Sequence, residues 1–120
     1  MAAHDSAAVQ ELLPLPPATF HILMAVSREP RHGYAIIQDV AEGTDGALRL
    51  SAGTLYRSIA RMVEQGLIVE TSKRPVLDDD ERRRYYRITP FGTAVARAEM
   101  ARLTVLVRLA RASGLTPDTA

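Results

Sequence analysis

The sequence predicts a mainly α-helical chain with one small β-hairpin, and three observations carry that prediction. Apolar residues recur at three- and four-residue spacing in successive segments between Pro17 and Gly66. A short β-branched pattern replaces that period after Gly66, and helical character returns from Pro90. At 120 residues the chain has material for one small core and too little for two conventional domains. Residues 12–89 read as one compact unit and residues 90–112 as a helix attached to it.

The residues before this helical series end in LLPLPP and read as an arm that packs locally through Leu12, Leu13 and Leu15. Pro16 and Pro17 suit a helix start, where a missing amide donor is harmless. The first predicted helix runs from Pro17 to Arg28, with Phe20, Leu23, Met24 and Ser27 along one face and Ile22 and Val26 widening it. Glu29-Pro30 interrupts it, because the residue before proline is pushed out of the helical region. HGYAIIQDVAEG supplies the second helix, with Gly33, Ile36, Ile37, Val40 and Ala41 inward, ended by Gly43, Asp45 and Gly46.

Ser51 is an N-cap candidate for the third helix, SAGTLYRSIARMVEQG. Leu55, Ile59 and Met62 stand at i, i+4 and i+7 on its inner side, Val63 broadens the stripe, and Gly66 supplies a left-handed exit. LIVETS and RRYYRIT then read as two strands, the second placing Tyr86 and Ile88 on one face and Tyr85 and Arg87 on the other. Between them lies a charged tip that includes Lys73, Arg82 and the acids Asp78, Asp79, Asp80 and Glu81. A two-stranded hairpin is marginal alone, so its Tyr86 and Ile88 face is expected to rest on the helices.

From Pro90 the chain reads as a last helix with a narrow polar stripe of Arg97, Thr104, Arg108 and Arg111. Much of its remaining circumference is apolar, which is too much for full exposure. Leu103, Leu106, Val107, Leu109 and Ala110 are therefore expected to meet a second copy, giving a two-fold homodimer.

Composition removes several classes of function. The absence of cysteine excludes disulfides, thiolate nucleophiles and cysteine-based zinc or iron–sulfur sites, and the absence of tryptophan removes the side chain best suited to stacking large aromatic ligands. There is no apolar run of membrane-spanning length, and the opening MAAHDSAAVQELL carries acids where an export signal has a basic region, so a soluble, cytoplasmic protein without a membrane partner is expected. His4, His21 and His32 lack metal-like spacing, no glycine-rich phosphate loop occurs, and Asp39 and Glu42 read as solvated helix charges. Neither catalysis nor a cofactor is implied. The net charge of +1 is neutral on partners.

Helices followed by a hairpin form a winged helix-turn-helix arrangement, in which one helix fits a major groove and the hairpin reaches alongside. Inward Leu55, Ile59 and Met62 leave Ser51, Thr54, Arg57, Ser58 and Arg61 outward on the third helix. Arg57 is expected at a groove edge, and Arg61 at a base or a phosphate. Tyr56 has a hydroxyl that can reach a phosphate and a ring that can fill the seam between helix and wing. Ser51 can cap its helix or touch DNA. Arg83 and Arg84 are the expected wing contacts to phosphate, with the acids of the tip turned away.

HGYAI at 32–36, LSAGTLYRSIARMVEQGLI at 50–68 and RRYYRITPFG at 83–92, in that order and spacing, resemble the PadR family of transcriptional regulators over about residues 12–112. The resemblance implies a homodimeric DNA-binding repressor whose C-terminal helical part forms the dimer contact and often senses a small molecule. It carries over the Gly33-Tyr34 turn, the Leu55-Tyr56 pair, the Gly66-Leu67-Ile68 lead into the wing, and the strand end from Tyr86 to Thr89. Two departures stand out: Arg57 replaces the proline common after the Leu-Tyr pair, and the C-terminal part has room for one helix, as in short-form members. Some short-form relatives hold planar drugs with tryptophan, which this chain lacks. The expected function is therefore sequence-specific binding of double-stranded DNA at a palindromic operator. A small-molecule effector between subunits is an open option beside ordinary dimer core. A winged-helix protein-interaction module without specific DNA binding is the alternative.

Overall fold

Prolines, glycines and hydroxyl caps set the element boundaries in the computed structural model of the chain, which describes residues 6–72 and 83–117. Helix α1 (Ser6–Glu11) leads through the proline-rich link to α2 (Pro17–Ala25), which begins with proline where no amide donor is needed. A two-residue strand β1 (Arg31–His32) runs directly into α3 (Gly33–Gly43). The N-cap of α3 is His32, whose Nδ1 accepts from the Ala35 amide at 3.2 Å. Asp45 (φ 51°) and Gly46 (φ 81°) then turn the chain away in left-handed conformations. Ser51 caps α4 (Ala52–Glu64), its Oγ accepting from the Thr54 amide at 3.1 Å. Gly66, at φ 78°, lets the Leu67 amide fold back onto the Met62 carbonyl at 2.9 Å and releases the chain into β2 (Ile68–Thr71).

Strand β3 (Tyr85–Ile88) returns antiparallel to β2, Ile68 opposite Ile88 and Thr71 opposite Tyr85. Thr89 then caps α5 (Pro90–Ala112). The hydroxyl of Thr89 accepts from the Gly92 amide at 2.9 Å and lies against the carbonyls of Gly66 and Leu67, toward which it donates. The core is a single cluster between the helices and the sheet: Ile22, Leu23 and Val26 meet Ile36 and Val40 of α3, Leu55, Ile59 and Met62 of α4, and Leu67, Ile68, Tyr86 and Val95 beyond. Each such side chain contributes about 1.5–3 kcal/mol by leaving water, and the α4 stripe, being central, fixes how that helix is rolled.

The architecture is mainly helical with a small antiparallel sheet, as the residue pattern predicts, and five expectations are corrected. The sheet has three strands in the order β1-β3-β2, because Arg31 and His32 pair with Tyr86 and Tyr85. For the same reason Tyr85 and Tyr86 are both buried: the His32 ring meets Tyr85 edge-on, centroids 5.3 Å apart, and covers the face expected to be wet. The N-terminal arm contains a helix, α1, packed on α5 through buried Val9. Helix α2 stops at Ala25, closed by a 2.8 Å bond from the Ser27 hydroxyl to the Met24 carbonyl, and Met24 faces out. Val63 is likewise exposed, leaving α4 with a narrower buried stripe. The wing-tip residues Lys73, Asp78, Asp79, Asp80, Glu81 and Arg82 lie outside the described residues.

Candidate nucleic-acid interface

A helix buried along one stripe must offer the opposite arc, and α4 does so with charge. Leu55, Ile59 and Met62 are buried, so Ser51, Tyr56, Arg57 and Arg61 are exposed, with Thr54 and Ser58 half-buried at the edges. The hydroxyls at the start of α4 are partly committed: Ser51 Oγ serves the cap and donates to Thr54 Oγ1 at 3.1 Å. Thr54 Oγ1 also lies 3.5 Å from Arg57 Nη2, a long contact that steadies the guanidinium without consuming its other donors. Arg61 makes no hydrogen bond or ion pair among the described residues. Arg57 and Arg61 also border a shallow groove of about 510 Å³ between α4 and the start of α2, whose other lining includes Pro16, Thr19 and Glu64.

The other flank of α4 faces the base of the wing. Here a recess of about 450 Å³ is lined by His32, Gly33, Tyr34, Tyr56, Arg83, Arg84 and Tyr86. Gly33 matters sterically: a Cβ at that position would collide with the Tyr56 hydroxyl, so the glycine lets the Tyr56 ring lie over the start of α3. Tyr56 thus fills the seam while keeping about half its surface in solvent, 51%, and both readings of that residue coexist. Arg84 stands near enough to the Tyr86 phenol to influence its ionisation and makes a loose 4.0 Å ion pair with Glu70. Burial raises the Tyr86 pKa, the Glu70 charge adds to the rise, and Arg84 opposes it, so the phenol stays neutral at the floor of the recess. Arg83 is exposed beside it.

All eight residues expected at DNA therefore lie on α4 or at the adjoining wing base. Two further features share this face. Tyr34, 62% exposed in the first turn of α3, was read only as part of a turn, although an exposed aromatic after a helix-starting glycine is itself a signal. The Tyr86–Arg84–Glu70 arrangement depends on strand register and had no local signal.

The expected dimer residues lie on the last turns of α5, well beyond its buried Val95 and Glu99. Leu106 (48%) and Leu109 (57%) are exposed together with Val105 and Val107, while Leu103 and Ala110 are half-buried. No described helix is long and apolar enough to cross a membrane. Among the described residues no group of three or more His, Asp or Glu is placed to hold a metal ion.

Residues 22–98 match the model of the transcriptional regulator PadR-like family. An uncharacterized protein of Lysinibacillus sphaericus is 33% identical over 73 residues, a match spanning 61% of this chain and 65% of that protein. Among solved structures, a PadR family transcriptional regulator from Eggerthella lenta superposes with a TM-score of 0.64 at 26% identity, covering 92% of this chain and 88% of that one. A PadR-like transcriptional regulator from Bacillus cereus gives 0.69 at 21% identity over 93% and 100% of the two chains. A PadR family transcription regulator from Clostridium difficile gives 0.69 at 21% over 80% and 96%. The last two likenesses concern the fold.

Proposed function

The chain belongs to the transcriptional regulator PadR-like family, whose members bind DNA and are not enzymes, and from that premise we propose that it represses transcription by binding a palindromic operator as a homodimer. In this reading α4 enters the major groove, with Arg57 reading a guanine edge through two parallel bonds and Arg61 contacting a base or a phosphate. Ser51, Thr54, Tyr56 and Ser58 border that contact, and Arg83 and Arg84 neutralise phosphates from the wing. The observation that carries the reading is the roll of α4: burial of Leu55, Ile59 and Met62 leaves its two arginines on the open face of the helix.

The dimer pairs the distal halves of two α5 helices through Leu103, Leu106, Val107, Leu109 and Ala110, an apolar band that one copy leaves largely in water. Two α4 helices then meet half-sites one helical turn of DNA apart, about 34 Å. A small molecule lodged between the paired helices would release the operator by altering the separation or tilt of the two α4 helices, since both half-sites must be met together.

The test is selection of bound fragments from a random duplex library, followed by affinity measurements with Arg57→Ala and Arg61→Ala. Arg57→Ala is expected to weaken the selected site by about 1–3 kcal/mol and relax preference at one base pair. Specific binding that survives both substitutions unchanged would remove α4 as the reading surface.

A further inference from the structure

Two tyrosine rings stand in solvent on the same side of the molecule, and neither is explained by the core. Tyr34 is on the first turn of α3 and Tyr56 on the first half of α4, and both line the recess at the base of the wing. Neither hydroxyl has a hydrogen-bond partner among the described residues. A half-exposed phenol without an intramolecular partner is a donor available to a ligand. The third group at the recess is Arg84, whose side chain is mostly exposed and only loosely paired with Glu70, at 4.0 Å. A fork with five donors, engaged on one side, keeps others for an oxyanion.

The steric design of the recess is equally directed. Gly33 has no Cβ where one would strike the Tyr56 hydroxyl and crowd Leu55, so the glycine brings the Tyr56 ring down against the start of α3, beside Tyr34. The recess opens between the element proposed to enter the groove and the strand that carries the wing, which is where the sugar-phosphate chain bordering that groove has to pass. Its donors are two neutral hydroxyls and one cation, a set that suits an acceptor-only, singly charged phosphodiester and carries no base-reading pattern.

We infer that the Tyr34–Tyr56–Arg84 recess seats one backbone phosphate of duplex DNA at the edge of the major groove, with Tyr34 as a DNA-contacting residue in its own right. The inference rests on the DNA-binding reading above and adds to it a sequence-independent anchor that sets how deeply α4 enters the groove. Tyr34 and Tyr56 donate to the phosphate oxygens, and Arg84 supplies the charge.

The experiment compares full-length wild type with Tyr34→Phe, Tyr56→Phe and Arg84→Gln by fluorescence anisotropy on two probes. One is a mixed-sequence 30-base-pair duplex (about three helical turns) at low salt, and the other is the duplex selected for the wild type. Tyr34→Phe removes one oxygen from an exposed position, so an unchanged thermal unfolding curve is expected and separates contact from folding. The seat predicts a loss of about fivefold to tenfold on both probes alike, with an unaltered salt dependence for Tyr34→Phe. For Arg84→Gln it predicts a salt dependence shallower by about one phosphate contact. A loss confined to the selected duplex would make Tyr34 a base reader and overturn the seat. Unchanged affinity of Tyr34→Phe and Tyr56→Phe on both probes, while Arg57→Ala and Arg61→Ala abolish selective binding, would also overturn it and leave the proposed function standing. A wild type that binds neither duplex would defeat both.

Discussion

Replacing Glu99 should destabilise the fold at neutral pH and matter progressively less in acid. This carboxylate is 2% exposed, although it lies on the helix whose far end is almost entirely in water. It accepts from the Leu15 amide at 3.1 Å, and from Arg102 Nε and Nη2 at 2.6 and 3.0 Å. Glu99→Ala leaves the Leu15 N–H buried without an acceptor, a loss of about 1–3 kcal/mol, whereas the half-exposed Arg102 can turn to water and contributes less. Arg102→Ala should also destabilise the fold, because it leaves the Glu99 carboxylate with one backbone donor. The bond from Arg102 holds the Glu99 carboxyl below its ordinary value of 4.5, burial opposes that shift, and the Leu15 amide adds to it. A folded-state pKa that is depressed stabilises the protein fully above the ordinary value, and that contribution disappears as pH falls through the depressed one. Urea unfolding followed by circular dichroism, at fixed protein concentration because the proposed dimerisation would be linked to folding, should show the Glu99→Ala midpoint lower by roughly 1–2 M at pH 7. The gap from wild type should narrow below pH 4.5. A Glu99→Ala protein within about 0.5 kcal/mol of wild type at pH 7, or a gap that stays constant into acid, would refute the assignment of this carboxylate as a tie between the N-terminal link and α5.

Two further variants test other joints. Gly92→Ala places a Cβ onto the Leu67 carbonyl and within 2.9 Å of Ile88 Cγ1, so the start of α5 must move off the wing; a loss of about 3 kcal/mol in urea unfolding is expected, and a near-neutral result would mean that this approach is looser than described. Leu106→Glu combined with Leu109→Glu places charge on the exposed apolar band of α5 without touching the core, and should yield a folded monomer by sedimentation equilibrium with weakened operator binding. Dimers of undiminished affinity would move the interface elsewhere.

The parts of the fold that were legible are those written in local periodicity. On α4 the cap, the buried stripe and the terminal glycine each occupy the position that helix geometry demands, so the outward arginines followed. Met24 and Val63 depart from the pattern because apolar character alone cannot say where a stripe ends; neighbouring elements decide that, and among the described residues none covers them. Strand β1 has two residues, too short for any period, and without it the burial of Tyr85 cannot be deduced. Glu99 has no local signal, because its backbone partner, Leu15, is 84 positions away. Tyr34 lay in plain view, but its availability shows only once Gly33 and Tyr56 are seen to share a recess with it.

These contacts also determine how a change at the proposed dimer contact would reach DNA. Thr89 ties the first turn of α5 to the carbonyls at the end of α4, and Gly92 brings that turn against Leu67 with no room for adjustment. At the other side Glu99 fastens the same helix to the link that precedes α2. The proximal half of α5 therefore moves with the winged-helix core as one body. The proposed dimer residues begin at Leu103, thirteen positions beyond Pro90, or about 20 Å at 1.5 Å per residue. Over that lever a tilt of about 10° between paired helices displaces the attached core by roughly 3–4 Å. That shift rivals the spacing between neighbouring base pairs along the duplex, about 3.4 Å. A modest repacking among Leu106, Val107 and Leu109 would thus put the second α4 out of register with its half-site while leaving each domain unchanged internally, so control of binding requires no deformation of the reading surface itself.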